Sequence, residues 1–364
     1  MERSILSLVR CAAIVLAVLL ASTRASAQVL RVELRDSLSA APVSGVLVTA
    51  LDSTGQRRAD GLSGEGGVVT LRLPSAGTWT ITVRRIGVRP RAIPGVRVLD
   101  GSSQVLVLNV ASMQQLLPPV RVTADGSSCG REPDADTRVG RLWEQITLAL
   151  RAATISQRDK GALPPLLVTE RRNDLSATLE ERNSVVTRQT TGSGRLVAAD
   201  DPETLATLGY VREEADDSRA YFAPDEVVLL SDSFLATHCF STPKKDANAL
   251  LAELRFKPVR GRKVADVEGT AFVDVNTGEL RRITYSYVAS RKLIPVFAEH
   301  AGGEVQVRRL ANGQWIVNKW FIRMPIFGQS VTSQRLVVTG YHEVAGLVQD
   351  MRQLGPAAAP RPPH

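Results

Sequence analysis

PVSGVLVTALDSTGQRRADGLSGEGGVVTLRLPSAGTWTITVRRIG, residues 42–87, is the stretch that decides the fold of the N-terminal part of this chain. Apolar and polar residues alternate in its runs VVTLRL (68–73) and TWTITVRRI (78–86). Successive side chains of a β-strand point to opposite faces, so each run can bury one face and expose the other to water. The pattern predicts half-buried strands that must pack against a second layer.

Short turns separate these runs and are rich in residues that accept tight or left-handed backbone geometry. The connectors are DSTG (52–55), GEGG (64–67), PSAG (74–77) and DG (100–101). Strands are also expected at 30–35, which alternates, and at 105–110, which is nearly all apolar. Short strands with such spacing predict a small antiparallel β-sandwich over residues 28–124.

The order of these segments resembles a carboxypeptidase regulatory-like domain, a transthyretin-type sandwich. PVSGVLVTALDSTG, a glycine-rich turn before VVTLRLP, and AGTWTITVRRIGVRP carry the resemblance, which covers about a quarter of the chain. The family's usual Thr-Asp-x-x-Gly-x-Phe turn is replaced by GLSGEGG (61–67), with no aromatic residue after it. LLPPVRVTA (116–124) is similar to the segment that follows this domain in many TonB-dependent outer-membrane receptors. The resemblance implies a setting in the cell envelope.

Residues 1–27 have the pattern of a cleaved secretory signal. Arg3 and Arg10 are followed by an apolar run at 11–21 and by the small residues Ala-Ser-Ala before Gln28. The apolar run is too short to cross about 30 Å of hydrocarbon, so we expect no transmembrane segment in the mature chain. The protein is predicted to be exported and to be periplasmic or associated with the outer membrane.

The formal net charge is +8, and removal of the signal segment, which carries three arginines and one glutamate, lowers it to +6. The basic residues are mostly arginines scattered along strands, without a basic cluster interleaved with aromatic residues. Nucleic acid is therefore not an expected partner.

After cleavage, only Cys129 and Cys239 remain of the three cysteines. An even pair in an oxidising compartment favours a disulfide, and Cys129 lies in the polar segment GSSCGREPD. Two separately buried thiols are the alternative.

A linker is predicted at 125–137, followed by an α+β domain at 138–350 and a disordered tail at 351–364. Apolar residues spaced by three and four predict one helix, at positions 139, 142, 143, 146, 149, 150 and 153. A short helix is expected at 232–239. Strands are predicted at 166–169, 184–189, 221–230, 250–256, 267–275, 280–288, 304–310, 315–324 and 335–341. The fold class is mainly β: an antiparallel sandwich, then a large antiparallel meander packed on one helix.

Residues 267–288, VEGTAFVDVNTGELRRITYSYV, resemble a strand pair of periplasmic lipoprotein-sorting carriers, which hold acyl chains in such a sheet. This resemblance implies an alternative function as a lipid or lipoprotein carrier. It requires an open apolar face on the C-terminal sheet.

The sequence contains no recognised catalytic motif. His342-Glu343 lacks the second histidine of a zincin, and His238 and His300 are isolated. We therefore expect no catalytic residues, no metal site and no cofactor. An enzyme with an unrecognised catalytic domain is a further alternative.

Trp315 and Trp320 are the candidate surface-binding residues. They lie five positions apart on one predicted strand, which places them on opposite faces, so one is expected in the core and the other partly exposed. An exposed tryptophan can stack on a sugar ring or enter a protein interface, whereas core packing of both is the alternative. The sequence thus predicts a noncatalytic binding or assembly protein of the envelope, with a protein, polysaccharide or lipid partner, or a carbohydrate-binding module.

Overall fold

The computed structural model describes residues 28–86, 88–111, 127–158, 163–191, 199–214, 219–288, 298–330, 333 and 335–353. The predicted signal segment and most of the predicted tail lie outside the described residues, as does part of the predicted linker. The fold is mainly β, as the sequence predicts.

Residues 28–110 form a two-sheet sandwich, which confirms the predicted architecture. Its strands are β1 (Gln28–Asp36), β2 (Leu47–Leu51), β3 (Arg57–Leu62), β4 (Val68–Leu73), β5 (Gly77–Arg85), β6 (Val88–Val98) and β7 (Ser103–Val110). One sheet has the order β4-β1-β7 and the other β3-β2-β5-β6. All pairs are antiparallel except β1 with β7, which is parallel. Alternation along a strand carries no information about the direction of its neighbour, so the sequence did not reveal this pair.

The alternating residues bury the faces that the sequence predicts. Trp79 is 4% exposed, and Ile81 and Val83 are fully buried. They share one core cluster with Leu30 and Leu71 from the opposite sheet. Burial of large apolar side chains, at about 1.5–3 kcal/mol each, holds the two sheets together.

The second part of the chain forms a sheet of ten strands with short helices and one long helix. Its strands are β8 (Ser128–Cys129), β9 (Leu166–Ser176), β10 (Glu181–Thr191), β13 (His238–Ser241), β14 (Leu251–Pro258), β15 (Asp266–Asp274), β16 (Leu280–Val288), β17 (Gly302–Arg309), β18 (Trp315–Gln329) and β19 (Leu336–Asp350). A separate hairpin pairs β11 (Val211–Glu213) with β12 (Arg219–Tyr221). The helices are α1 (Arg138–Arg158), α2 (Pro202–Leu208), α3 (Glu226–Leu229) and α4 (Asp232–Thr237), and a 3-10 turn covers Met351–Gln353.

The large sheet has the order β10-β9-β19-β18-β17-β16-β15-β14-β13-β8 and is antiparallel throughout. Strands β13 to β19 follow one another as the predicted meander. The β9–β10 hairpin joins the sheet beside β19, and β8 closes the opposite end. Ser128–Cys129, within the predicted linker, is therefore part of the sheet.

The predicted strand at 221–230 is wrong. Strand β12 ends at Tyr221, and the segment continues into helix α3. The Asp225 carboxylate accepts hydrogen bonds from the backbone N–H groups of Val227 and Val228 and so caps this helix. A local cap thus outweighs the strand propensity of the valines.

Helix α1 begins at a threonine cap, because the Thr137 hydroxyl accepts the Gly140 N–H at 3.0 Å. The helix is confirmed and is longer than predicted. Its apolar stripe packs on the sheet, where Trp143 lies 4.8 Å from the Phe240 ring. Between α1 and the sheet, a cavity of about 20 Å³ lies beside Tyr285. The helix therefore packs on the apolar face of the sheet along β14, β15, β16 and β18.

The sandwich packs against the rest of the molecule through α1. Leu47 and Leu62 of the sandwich belong to the same core cluster as the α1 side chains, and Ile86 packs against that cluster. Beside them, the backbones of Gly45 and Gly313 touch: a Cβ on Gly313 would lie 2.5 Å from the Gly45 backbone N. The two parts therefore share an apolar core at the junction, which is separate from the core between the two sheets of the sandwich.

Candidate binding cleft

A cleft of about 1110 Å³ opens beside this shared core, between the sandwich and the second part of the chain. Strands β3 and β4 form its wall on the sandwich side. The other wall comes from the end of α1, from Leu163 and Pro164, from Asn312 and Gln314 in the β17–β18 turn, and from Arg352. Segments far apart in sequence thus build the site.

Strands β3 and β4 are both edge strands. Each stands at the end of its sheet and pairs on one side only within the described part of the chain. Alternate residues of an edge strand direct their backbone N–H and C=O groups away from the sheet. The sandwich therefore turns two strand edges toward the cleft.

Four arginines line the cleft: Arg58, Arg72, Arg158 and Arg352. The Arg158 side chain is 62% exposed and bonds Asp60, which is 12% exposed, at 2.5 Å. Arg352 is likewise more exposed than its partner Asp350, as Arg58 is than Asp52. A guanidinium has five N–H donors, so one carboxylate contact leaves others available. The carboxylates are covered, and positive charge faces the solvent.

Hydrogen bonds favour the ionised form of two of the covered carboxylates. The Thr54 hydroxyl and then the Arg58 guanidinium hold the pKa of Asp52 well below its usual range. A hydrogen bond from Arg352 likewise lowers the pKa of Asp350. Arg72, in contrast, makes no ion pair with any described residue. Glu65 also lines the cleft, so the wall is cationic but not uniformly so.

The cleft also has an apolar and a polar component. Leu62, Ile155 and Leu163 give it apolar surface. Gln314 is 3% exposed, and its Oε1 has no hydrogen-bond partner among the described residues. A buried polar atom without a partner is costly, so a ligand that donates to Gln314 would gain by satisfying it. None of the described lining residues is aromatic.

The structure does not place Trp315 and Trp320 on the surface. They are 3% and 7% exposed and belong to one core cluster, so their proposed role in surface binding is wrong. A β-bulge is the reason: Val317 pairs with Val307 and Lys319 with Gln306, which leaves Asn318 as an extra residue. The extra residue shifts the alternation and returns Trp320 to the face of Trp315.

Cys129 and Cys239 form a disulfide, as predicted. They lie directly opposite each other on β8 and β13, the last strand pair of the sheet. The alternative of two separate thiols is therefore wrong.

The three histidines considered as chemical groups make different contacts. His238 is fully buried; its Nε2 lies 3.2 Å from Oδ1 of Asp266, and its Nδ1 lies 3.1 Å from the Phe234 carbonyl. Burial raises the pKa of Asp266, but the hydrogen bond from His238 and nearby charges outweigh it and lower the pKa overall. Both side chains of this pair are buried, at 1% and 2% exposed.

His342 is exposed and bonds Asp174 through Nδ1 at 2.6 Å, while the His300 ring lies 5.9 Å from Tyr341. Within the described ranges, no three His, Cys, Asp or Glu side chains are grouped as a metal site would require. No helix among the described residues is both long and apolar enough to span a membrane.

Sequence reasoning missed the whole cleft. Arg57-Arg58 and Arg72 were visible as basic residues of the predicted sandwich, which is the one local signal. The facing wall lies about 100 to 280 residues further along the chain, so only the packing of the two parts reveals it.

Residues 29–111 match the family model of the carboxypeptidase regulatory-like domain, which confirms the resemblance seen in the sequence. No curated protein matches the chain.

Three solved structures are distantly similar. An interface mutant of a type II cohesin–X-dockerin complex from Acetivibrio cellulolyticus is 15% identical over 31% of this chain and 81% of that chain, with a TM-score of 0.21. Fervidolysin from Fervidobacterium pennivorans, a keratinolytic enzyme related to subtilisin, is 9% identical over 72% and 29%, with a TM-score of 0.20. A putative membrane-associated protein of unknown function from Bacteroides fragilis is 10% identical over 88% and 94%, with a TM-score of 0.17. At these TM-scores, the similarities carry no functional argument.

Proposed function

Because residues 29–111 form a carboxypeptidase regulatory-like domain, we propose that the protein is an exported, noncatalytic binding or assembly protein of the cell envelope. We further propose that the cleft between the sandwich and the second part of the chain binds an anionic ligand. The observation that carries the proposal is the row of exposed guanidinium groups whose carboxylate partners are covered.

The chemistry of the cleft supports binding. Arginine presents a planar set of donors that matches carboxylate and phosphate groups, and an apolar floor strengthens such contacts by excluding water. Arg72 and Gln314 add a guanidinium without an ion pair among the described residues and a buried carbonyl without a partner there. An anionic group of a ligand could pair with the guanidinium, and a donor group could hydrogen-bond to the carbonyl.

The disulfide supports the proposed export. Disulfides form and persist in oxidising compartments, and Cys129 and Cys239 are paired in the folded chain. The secretory pattern of residues 1–27 points to the same compartment.

The alternative functions have less support. A lipid carrier needs an open apolar face, yet α1 packs on that face along β14, β15, β16 and β18, and the cavity beside Tyr285, of about 20 Å³, has room for about one water molecule. A carbohydrate-binding surface based on Trp315 and Trp320 is inconsistent with their burial.

The proposal is tested by measuring the binding of two fluorescent polyanions, polyglutamate and oligogalacturonate, to the purified chain. We expect at least one of them to bind, with an affinity that falls as salt increases. Arg58→Ala/Arg72→Ala should weaken that binding about tenfold or more.

The matched control is Arg171→Ala/Arg255→Ala, since these side chains are 52% and 54% exposed but lie outside the cleft. It should bind like the unaltered protein. Equal losses in both double variants would mean that general surface charge, and not the cleft, is responsible.

A further inference from the structure

We infer that the anionic ligand of the cleft is an extended acidic segment of another protein, which adds a strand to the free edge of β4. The inference depends on the proposed function, because it concerns the same cleft. It goes further by naming the partner as a polypeptide and the mode of contact as backbone pairing.

Strand β4 has an edge that faces away from its partner β1. Strand β4 covers six residues and pairs antiparallel with β1 on one side. Within the described part of the chain, no strand pairs with its other side, and Val68, Val69, Thr70 and Arg72 line the cleft. An extended peptide can satisfy such an edge with main-chain hydrogen bonds. The Val68 C=O already accepts the Gly64 N–H at 3.1 Å, so the part of the edge left for an added strand runs from Val69 to Leu73, a contact of roughly 15 Å.

The two faces of β4 differ in polarity. Thr70 and Arg72 are exposed on the outer face, whereas Val69 and Leu71 are buried on the inner face. Side chains of an added strand would alternate in the same way. Those on the face of Arg72 would meet positive charge, and those on the inner face would lie beside the apolar Val69 and Leu71. The cleft therefore fits a segment in which acidic and apolar residues alternate.

The cleft lining favours a peptide over an acidic polysaccharide as the ligand. Aromatic side chains present the flat apolar faces on which sugar rings stack, and the described lining residues include none. A strand edge, in contrast, is specific for a polypeptide backbone. Charge alone fits both ligands, but the edge and the lack of aromatic lining favour the peptide.

The test uses the purified full chain and the labelled peptide acetyl-Gly-Glu-Val-Glu-Val-Glu-Gly-amide. We expect saturable binding that Arg72→Ala weakens about tenfold and Arg72→Lys weakens less. A second peptide of the same sequence, N-methylated at alternate residues on its pairing edge, keeps the charge but removes backbone donors. It should bind at least tenfold more weakly.

The outcomes separate the two proposals. Equal binding of the two peptides would overturn strand pairing. If oligogalacturonate binds and the peptide does not, and Arg58→Ala/Arg72→Ala abolishes that binding, the peptide proposal is overturned but the anion-binding cleft is not. If neither probe responds to the cleft variants, the proposed function fails as well.

Discussion

The junction between the sandwich and the second part of the chain has two dissimilar ends. At its closed end, Leu47 is buried in the common core, and Gly45 and Gly313 touch through their backbones. At its open end, the two parts draw apart around a cleft of about 1110 Å³ lined by four arginines. The same two parts of the molecule are dry and close-packed on one side and charged and accessible on the other.

This difference indicates a division of roles along the junction. A junction that served only to hold the parts together would gain most from apolar burial along its whole length. Exposed arginines over covered carboxylates add little to stability, because surface ion pairs contribute about 0–1 kcal/mol each. We therefore expect stability to depend on the closed end and ligand binding on the open end.

The largest effect on stability should come from a change remote from both ends. Cys129→Ser/Cys239→Ser opens a bridge that spans a sequence separation of 110 residues. Loop-closure entropy predicts a loss of roughly 4–5 kcal/mol, or less where the unfolded chain keeps some structure. Urea denaturation followed by tryptophan fluorescence measures this loss. Affinity for the anionic probe under native conditions should stay unchanged, and a parallel loss of affinity would contradict the division of roles.

Leu47→Ala tests the closed end. Leu47 is 4% exposed within the common core, so truncation should lower the free energy of unfolding by about 3 kcal/mol. The matched control Leu99→Ala removes a side chain that is 65% exposed and should change stability by less than about 0.5 kcal/mol. Equal melting profiles for the two variants would show that the closed end is not packed as described.

Gly313→Ala isolates the backbone contact. The added Cβ would lie 2.5 Å from the Gly45 backbone N, and φ is +85°. Gly55→Ala is the control, because φ is +79° there and a Cβ meets nothing within 4 Å. Both variants carry the left-handed strain of about 1–2 kcal/mol, so the additional loss in Gly313→Ala, about 1 kcal/mol or more, measures the contact. Thermal melts give both values. An identical loss in the two variants would show that the backbone contact does not contribute to the stability of the junction.

Arg84→Ala should have the smallest effect. Arg84 bonds Glu144 of α1 at 3.1 Å across the junction, but the side chains are 49% and 38% exposed. Solvent screening limits such a pair to about 0.5 kcal/mol or less. Denaturation at low and high salt checks this, and a loss comparable with Leu47→Ala would show that ion pairs hold the junction.

The sequence predicted the parts of the fold that local patterns determine. Alternation around Trp79 identified the sandwich and its buried faces, and three- and four-residue spacing identified α1. It did not reveal that β7 runs parallel to β1, since strand direction depends on the path of the whole chain.

The errors in the second part have equally local causes. One extra residue, Asn318, reversed the expected facing of Trp320, and the Asp225 cap converted a predicted strand into α3. The cleft was beyond prediction, because Arg72 and Gln314 are brought together only by the packing of two separately recognisable parts.

Hydrogen–deuterium exchange of the full chain, with and without the acidic peptide, tests the central claim most directly. The account predicts slower exchange for amides of β4, with little change at Leu47 of the closed end. Slower exchange confined to other strands, or none at a saturating peptide concentration, would contradict it.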